Sequence, residues 1–235
     1  MKVQPLKTRI FKENENLVDF IRAHIKKIPE KSVLVVTSKI VALAEGRTVS
    51  DTSASTKEKL IRNESDFALQ TKYVLLTIKD GMVMANAGID DSNAKGKLIL
   101  LPKDSFQSAA VLRKQLQKIY KVKKLGVLIT DSRLFPLRAG VVGVAMGYAG
   151  FKGIKSYKGT PDLFGRKFVF SQTDIADSLA TSAVLTMGEG RECQPLALIT
   201  QAPIVFTEKI NKRELIIDPK EDVYAPLFGS LHKKK

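Results

Sequence analysis

The chain has 235 residues, 44% of them hydrophobic, enough to bury one large core or two intimate subdomains, and this excludes disorder over most of its length. A single cysteine, Cys193, and the two histidines His24 and His232 exclude a disulfide framework, a cysteine-built zinc site and histidine-rich metal sites. Acid-base or metal chemistry must therefore rest on carboxylates, lysines or hydroxyls, and the net charge of +15 predicts attraction to anions without choosing among nucleic acid, acidic membrane, phosphates and polycarboxylates.

The N-terminal MKVQPLKTRIFKENEN has no apolar signal core, and no stretch approaches the roughly 20 apolar residues that span a bilayer, so the expected location is cytoplasmic, with no membrane partner. Leu17, Phe20, Ile21, Ile25 and Ile28 recur at helical spacing and predict an amphipathic helix over 15–28, packed on a buried strand Val33 to Val36. Lys39 to Ala44 predicts a further helix, and Ser55 to Leu69, polar with sparse apolar positions, a solvent-facing helix or loop-helix insertion. Tyr73 to Ile78 and Met82 to Ala85 predict a hairpin around Lys79-Asp80-Gly81, because Asp-Gly suits a tight turn.

Leu98 to Leu101 predicts a strand, followed by a helix with Ala109, Leu112, Leu116 and Ile119 on one face and a buried strand Leu125 to Thr130 ending at Asp131. Ala139 to Gly153 alternates glycines with Val141, Val144 and Met146, as in bulged strands where backbone approaches backbone or ligand. Thr173 to Met187 predicts a helix and Leu196 to Ile199 a strand, after which the proline-punctuated chain wraps the surface and ends in the solvated tail Lys233-Lys234-Lys235. No internal repeat or flexible linker interrupts this pattern.

Polar clusters at strand ends are where a scaffold displays functional groups. Thr37-Ser38-Lys39, followed by Ala44-Glu45-Gly46-Arg47, offers hydroxyls, backbone N–H groups and a lysine to a phosphate at a strand-to-helix junction, although the residues alone favour an ordinary N-cap. Asn86 to Asn93, with Asp90, Asp91 and Ser92, is rich in the oxygens that hard cations require and equally in turn-forming residues. Thr130-Asp131-Ser132-Arg133 could ligate a metal through Asp131 and Ser132, with Arg133 or Arg138 stabilising phosphoryl charge; strand-end capping is the plainer alternative. Glu189, in Met187-Gly188-Glu189-Gly190, follows a helix whose C-cap the glycine suits, and alone the glutamate carries no functional signal. There is no P-loop, dinucleotide fingerprint or Gly-x-Ser-x-Gly elbow.

Taken in order, VLVVTSKIVALAEGR, NAGIDDSN, the LLP at Leu100 to Pro102, GVLITD, GVVGVAMGYAG, DLFGR, IADSLA and MGEG resemble the coenzyme F420 γ-glutamyl ligase family, from about Val33 to Ile199. The resemblance implies an α+β fold of mainly antiparallel sheets with flanking helices, dimeric, with a ligase domain over 1–205 and a C-terminal extension over 206–235. It also implies transfer of L-glutamate to a deazaflavin or, as in a related branch, a folate-type acceptor, driven by GTP or ATP through an acyl phosphate. Asp90, Asp131, Ser132 and Glu189 match metal-ligand positions for manganese or magnesium, with potassium as a candidate further ion. Ser38, Lys39, Asn93, Arg133, Gly188, Glu189 and Gly190 match nucleotide positions, and Asp90, Asp131 and Arg138 the catalytic ones. Departures stand at Leu43, where members carry lysine, and at Leu134 and Phe135, where they carry Gly-Arg; both lean the acceptor towards folate. The alternatives are a nucleic-acid-binding protein, motivated by the charge and the Gly150-Phe151-Lys152-Gly153 tetrapeptide, and a relative that binds a nucleotide without turnover.

Overall fold

The computed structural model describes residues 1–209 and 211–228; His232 and the expected tail Lys233 to Lys235 lie outside them. In chain order the elements are β1 (Lys2–Leu6), α1 (Leu17–His24), β2 (Ser32–Thr37), α2 (Ser38–Ala44), β3 (Thr48–Val49), α3 (Ala54–Asn63) and β4 (Phe67–Gln70). Next come β5 (Leu75–Lys79), β6 (Met82–Ala85), a 3-10 turn (Asn86–Gly88), β7 (Leu98–Ile99), α4 (Ser105–Tyr120), β8 (Leu125–Leu134) and β9 (Val141–Ala149). The last are β10 (Ile154–Ser156), β11 (Gln172–Asp174), α5 (Ile175–Met187), β12 (Leu196–Thr200) and a 3-10 turn (Ala225–Phe228). The class is α+β with mainly antiparallel sheets, as expected. Two compact units divide the chain, Met1–Arg47 with Leu101–Glu214 and Thr48–Leu100 with Leu215–Lys235. The described residues 206–209 and 211–214, expected to belong to a C-terminal extension, cluster with the first unit.

The first unit is built on a five-stranded sheet in the order β1-β12-β2-β8-β9, in which β2 and β8 are parallel and the other pairs antiparallel. Strand β2 is buried along Ser32 to Val36, so its apolar run needs no alternation. β8 runs past the expected stop at Asp131 to Leu134, because Val141 to Val144 of β9 supply antiparallel partners beyond the point where β2 ends. Helix α1 starts at Asn16, whose side chain accepts from Asp19 N at 3.0 Å, and stops earlier than the apolar spacing predicts. Ile25 is extended and, with Ile28, still buried; Pro29 bars helix at the preceding residue. In α4, Ala109, Leu112 and Leu116 face the core as expected, whereas Arg113 is buried and Ile119 stays 39% exposed.

Between Ile129 and Thr130 the β8–β9 register shifts: Ile129 faces Gly147 and Thr130 faces Ala145, leaving Met146 as the extra residue of a bulge. The bulge reverses which face of β9 points where. A Cβ on Gly143 would meet Ala180 O at 2.6 Å on α5, and one on Gly147 would meet Phe106 N at 2.5 Å on α4. The glycine-rich segment thus lets two helices approach one strand from opposite sides.

In the second unit, β4, β5 and β6 form an antiparallel sheet and β3 pairs with β7. Asp80 and Gly81 both have positive φ, 52° and 76°, the geometry a two-residue hairpin demands. Ile61 of α3 packs with Leu75, Ala87, Ile89, Leu98 and Leu100. Of the segment expected as helix or insertion up to Leu69, α3 takes only Ala54–Asn63, and Phe67–Gln70 is a strand paired with β5. Local polarity conceals a short edge strand.

Candidate active site

The parallel β2–β8 pair brings two separated motifs to one end of the first unit's sheet. Thr37 and Thr130 are register partners, so the chain leaves β2 into Ser38-Lys39 beside the point where β8 continues into Asp131-Ser132-Arg133. Crevices at the carboxyl ends of parallel strands are common ligand sites. Ser38 is buried at the first position of α2 and Lys39 is half-buried.

Strand alternation separates the functional groups of β8. Asp131 and Arg133 share one face: the Arg133 guanidinium pairs with the Asp131 carboxylate, donates to Ser132 O at 2.8 Å and contacts Met146 Sδ at 3.1 Å in the bulge. Ser132 lies on the other face, its hydroxyl 2.8 Å from both carboxylate oxygens of Glu189. The buried Thr130 hydroxyl, on the Ser132 face, has no hydrogen-bond partner among the described residues. An orphaned buried hydroxyl beside two further oxygen donors is a place suited to a ligand oxygen or water.

The turn carrying Glu189 is closed by Glu192, which accepts from Gly190 N at 2.8 Å, and a Cβ on Gly188 would meet the Glu192 side chain at 2.5 Å. Gly188 has φ +82°, consistent with the helix C-cap its sequence suggests. Arg138 is exposed in the loop joining β8 to β9, where Leu134, Phe135 and Leu137 are exposed too. Leu43 is half-buried at the end of α2, its carbonyl accepting from Asn14 N at 2.9 Å.

Glu45 takes a structural part. Its carboxylate accepts from Lys103 N at 2.8 Å and from the Ser108 hydroxyl at 2.6 Å, tying the end of α2 to the first turn of α4. Asp174 and Asp177, just before and inside the IADSLA motif, give no functional signal in the sequence, because carboxylates at a helix start read as caps. Asp174 is indeed the cap, accepting from Asp177 N at 2.9 Å, and Asp177 accepts from Ala145 N at 2.8 Å, opposite Thr130. Burial pushes both carboxyls up, Asp174 to about 6.

Asp90 and Asn93 belong to the second unit. The Asp90 carboxylate accepts from Ser92 N at 2.7 Å and the Ser92 hydroxyl at 2.8 Å, while its backbone bridges Ile99. Asp91 pairs with Lys57 at 2.7 Å, and Asn86, at φ 52°, accepts from Leu75 N at 3.0 Å. The segment is a turn held by its own polar groups, whatever else Asp90 binds. Among the described residues no group of three or more His, Cys, Asp or Glu is gathered to hold a metal. The hard oxygens of Ser132 and Glu189 fit magnesium or manganese, which commonly bind through one or two carboxylates and the phosphates of a substrate, whereas the Asp131 carboxylate lies on the other face of β8, paired with Arg133, and is not brought together with them.

The Gly150-to-Gly153 tetrapeptide is explained by packing. A Cβ on Gly150 would strike Leu125 O at 2.2 Å, and one on Gly153 the Tyr148 hydroxyl at 2.0 Å. Its flanks are strands β9 and β10, unlike the helices around a KH-type clamp. Among the described residues no helix is long and apolar enough to cross a membrane.

An α+β scaffold that gathers a lysine, an arginine and hard oxygen donors at the end of a parallel strand pair, without a P-loop, is suited to binding a phosphorylated ligand. A profile of the family described as F420-0:Gamma-glutamyl ligase matches residues 5–201, and the chain belongs to that family. Its relatives include the coenzyme F420:L-glutamate ligase of Methanococcus maripaludis strain C6, 41% identical over 156 residues. That match covers 66% of this chain and 62% of the relative, less than two thirds of the relative's length. Proteins of the same name from M. maripaludis strain C7 and Methanopyrus kandleri are 34% and 33% identical, with 88% and 95% of their lengths covered by matches spanning 85% and 94% of this chain.

Proposed function

We propose that the protein is a γ-glutamyl ligase that joins the amino group of L-glutamate to a carboxyl group of a deazaflavin precursor of coenzyme F420, driven by a nucleoside triphosphate. Beyond the relatives' names, one observation carries the reading: the register of Thr37 with Thr130 sets Ser38-Lys39 beside Asp131-Ser132-Arg133, with Glu189 bound to Ser132. Every relative named above is an F420 ligase, which favours the deazaflavin acceptor; the departures at Leu43, Leu134 and Phe135 are the sole argument for folate.

A carboxylate is a poor electrophile, so activation precedes amide formation. An acceptor carboxylate oxygen attacks the γ-phosphorus and the nucleoside diphosphate leaves, giving an acyl phosphate. The glutamate nitrogen then attacks the acyl carbon, inorganic phosphate departs and the amine loses a proton. Lys39, Arg133 and Arg138 supply positive charge for the phosphates, and Ser38 and the Gly188-Glu189-Gly190 turn shape the nucleotide's seat. Ser132 and Glu189 would hold magnesium or manganese, which neutralises phosphate charge when bound, and Asp131 would join them only by leaving its pair with Arg133. Asp90 and Asn93, matched by motif to a metal-ligand and a nucleotide position, belong to the second unit, and the working form in this reading is a homodimer. The nucleotide is GTP or ATP.

Mass spectrometry of the deazaflavin precursor and of dihydropteroate, after incubation with glutamate, manganese and GTP or ATP, tests the proposal. The expected product is the deazaflavin carrying an added glutamyl residue. Gain on dihydropteroate alone moves the acceptor to folate. No gain with either acceptor and either nucleotide overturns the ligase reading, and metal-dependent nucleotide binding that persists in that case marks a relative that binds without turnover.

A further inference from the structure

The first unit holds a recess whose lining includes none of the candidate site residues named above. Its volume is about 690 Å³, within the range of small-molecule sites, and it lies between β10, β11 and the chain after β12. Ile154, Ile175 and Val205 contribute apolar wall, while Lys152, Lys155 and Arg213 bring positive charge and Glu214 a carboxylate. Among the described residues, neither Lys152 nor Arg213 has a carboxylate partner. Lys155 lies 4.9 Å from the ring centre of Tyr157.

Glu214 is held in place from beneath. One of its oxygens accepts from the hydroxyl of Tyr148, 1% exposed, and from Gly153 N, both at 2.8 Å. Burial and the bond to Glu214 push the tyrosine's ionisation up, so it stays a donor. A Cβ at Gly153 would strike that hydroxyl at 2.0 Å, so the arrangement requires glycine there. Both donors act on Oε2. The second oxygen remains for a ligand.

The charges discriminate among anions. A polyphosphate or a second nucleotide would bring only negative charge towards Glu214, and like charges at close range repel. Three cations and one fixed carboxylate instead complement a ligand with one cation and two anions on an apolar spacer. That is the charge pattern of an acidic α-amino acid. Gln172 and Asn211 add amides that can turn to either kind of group.

Resting on the ligase reading above, we propose that this recess binds the incoming L-glutamate, with Glu214 receiving its ammonium group and Lys152, Lys155 and Arg213 its carboxylates. Ile175, in the recess wall, opens α5, and Asp177 in the same helix's first turn contacts Ala145, the partner of Thr130. The recess and the phosphate-side residues are therefore linked within one unit by the start of one helix. Tyr148 and Gly153 are positioning residues for Glu214.

The experiment measures L-glutamate binding to the full chain by saturation-transfer NMR and, in parallel, KM for glutamate and for nucleotide in turnover. Glu214→Gln keeps an oxygen for Tyr148 and Gly153 but removes the charge; Lys152→Ala and Arg213→Ala each remove a cation. The expected result is at least a tenfold weakening of glutamate binding and a matching rise in its KM in each variant, with nucleotide KM and thermal midpoint unchanged. D-glutamate and inorganic phosphate should compete poorly. Glutamate affinity within twofold of the unaltered protein in the folded variants overturns the proposal, as does phosphate displacing glutamate from the recess. If no acceptor supports turnover but glutamate still binds and Glu214→Gln abolishes it, the recess stands and the ligase reading falls. If an active Glu214→Gln enzyme keeps a normal glutamate KM, the ligase reading stands and the recess falls.

Discussion

Thr37 and Thr130 face each other at the last rung of the parallel β2–β8 ladder, and beyond that rung β8 is paired on one side only, by β9. The β8 edge that β2 vacates is where Ser38 and Lys39 begin α2. Motifs far apart in sequence become neighbours through one strand pairing. The chemistry proposed for this end of the sheet depends on groups that alternate across β8, so substitutions there should separate by face.

On the face of Ser132 that residue and its partner Glu189 are polar and accessible, and their loss should disturb function more than folding. Ser132→Ala and Glu189→Gln are each expected to lower kcat about 100-fold while shifting stability by less than about 0.5 kcal/mol. Turnover assays with and without manganese, beside urea denaturation, check both parts. Equal activity in Glu189→Gln would remove Glu189 from the metal set.

On the opposite face the balance reverses. The Arg133 side chain is 8% exposed and the Asp131 side chain 26%, so Asp131→Ala removes the carboxylate partner of a nearly buried cation. A loss of about 2 kcal/mol is expected, below the figure for a fully buried pair because water still reaches Asp131. Asp131→Ala combined with Arg133→Met should recover part of it, and a double-mutant cycle by urea unfolding measures the coupling. Strict additivity would show that the pair contributes nothing beyond its separate residues.

How much of this is legible in the sequence depends on whether the signal is local. The hairpin at Asp80-Gly81 is, because a two-residue turn with positive φ at both positions names its own residues. The buried Ala109, Leu112 and Leu116 of α4 and the body of α5 follow from spacing, whereas Ile119 stays exposed and Thr173, expected as helix, belongs to β11. Asp131 stands out by its place after an apolar run, but the continuation of β8 to Leu134 does not, since that depends on β9 offering a partner. The partition of Asp131 with Arg133 and Ser132 with Glu189 needs the pleat, and Glu45 changes character once its contacts with Lys103 and Ser108 are visible. Glu214 carries no sequence signal, because its meaning comes from Tyr148 and Gly153, which fold against it from far upstream.

The glycines of β9 supply a test of the bulge. Gly143→Ala and Gly147→Ala each drive a methyl group into the backbone of a packed helix, at 2.6 Å from Ala180 O and 2.4 Å from the Ser105 carbonyl carbon. Each should cost about 3 kcal/mol or more. Gly140→Ala, where nothing lies within 4 Å but φ is +87°, should cost only about 1 kcal/mol from backbone strain. Thermal and urea unfolding of the three variants gives the ranking; a similar cost at all three positions would contradict the opposed approach of α4 and α5.

Asp174 makes stability depend on pH in a direction opposite to most paired carboxylates. Burial, aided by the Asp177 charge, lifts its carboxyl from 3.8 to about 6 and outweighs the backbone hydrogen bonds from Asp177 and Ala176 that favour the charged form. Because the folded value lies above the unfolded one, the folded state holds the proton more tightly. The resulting stabilisation is fully present below about pH 4 and disappears as pH rises through about 6. Asp174→Asn keeps an oxygen to cap Asp177 N without acquiring charge. Relative to the unaltered protein it should gain nothing at pH 4 and about 1 kcal/mol at pH 7.5, a figure reduced for solvent screening of a half-buried group. Urea midpoints of both proteins at the two pH values measure the difference, and a gain of the same size at pH 4 would mean that the substitution acts through packing, not through the proton.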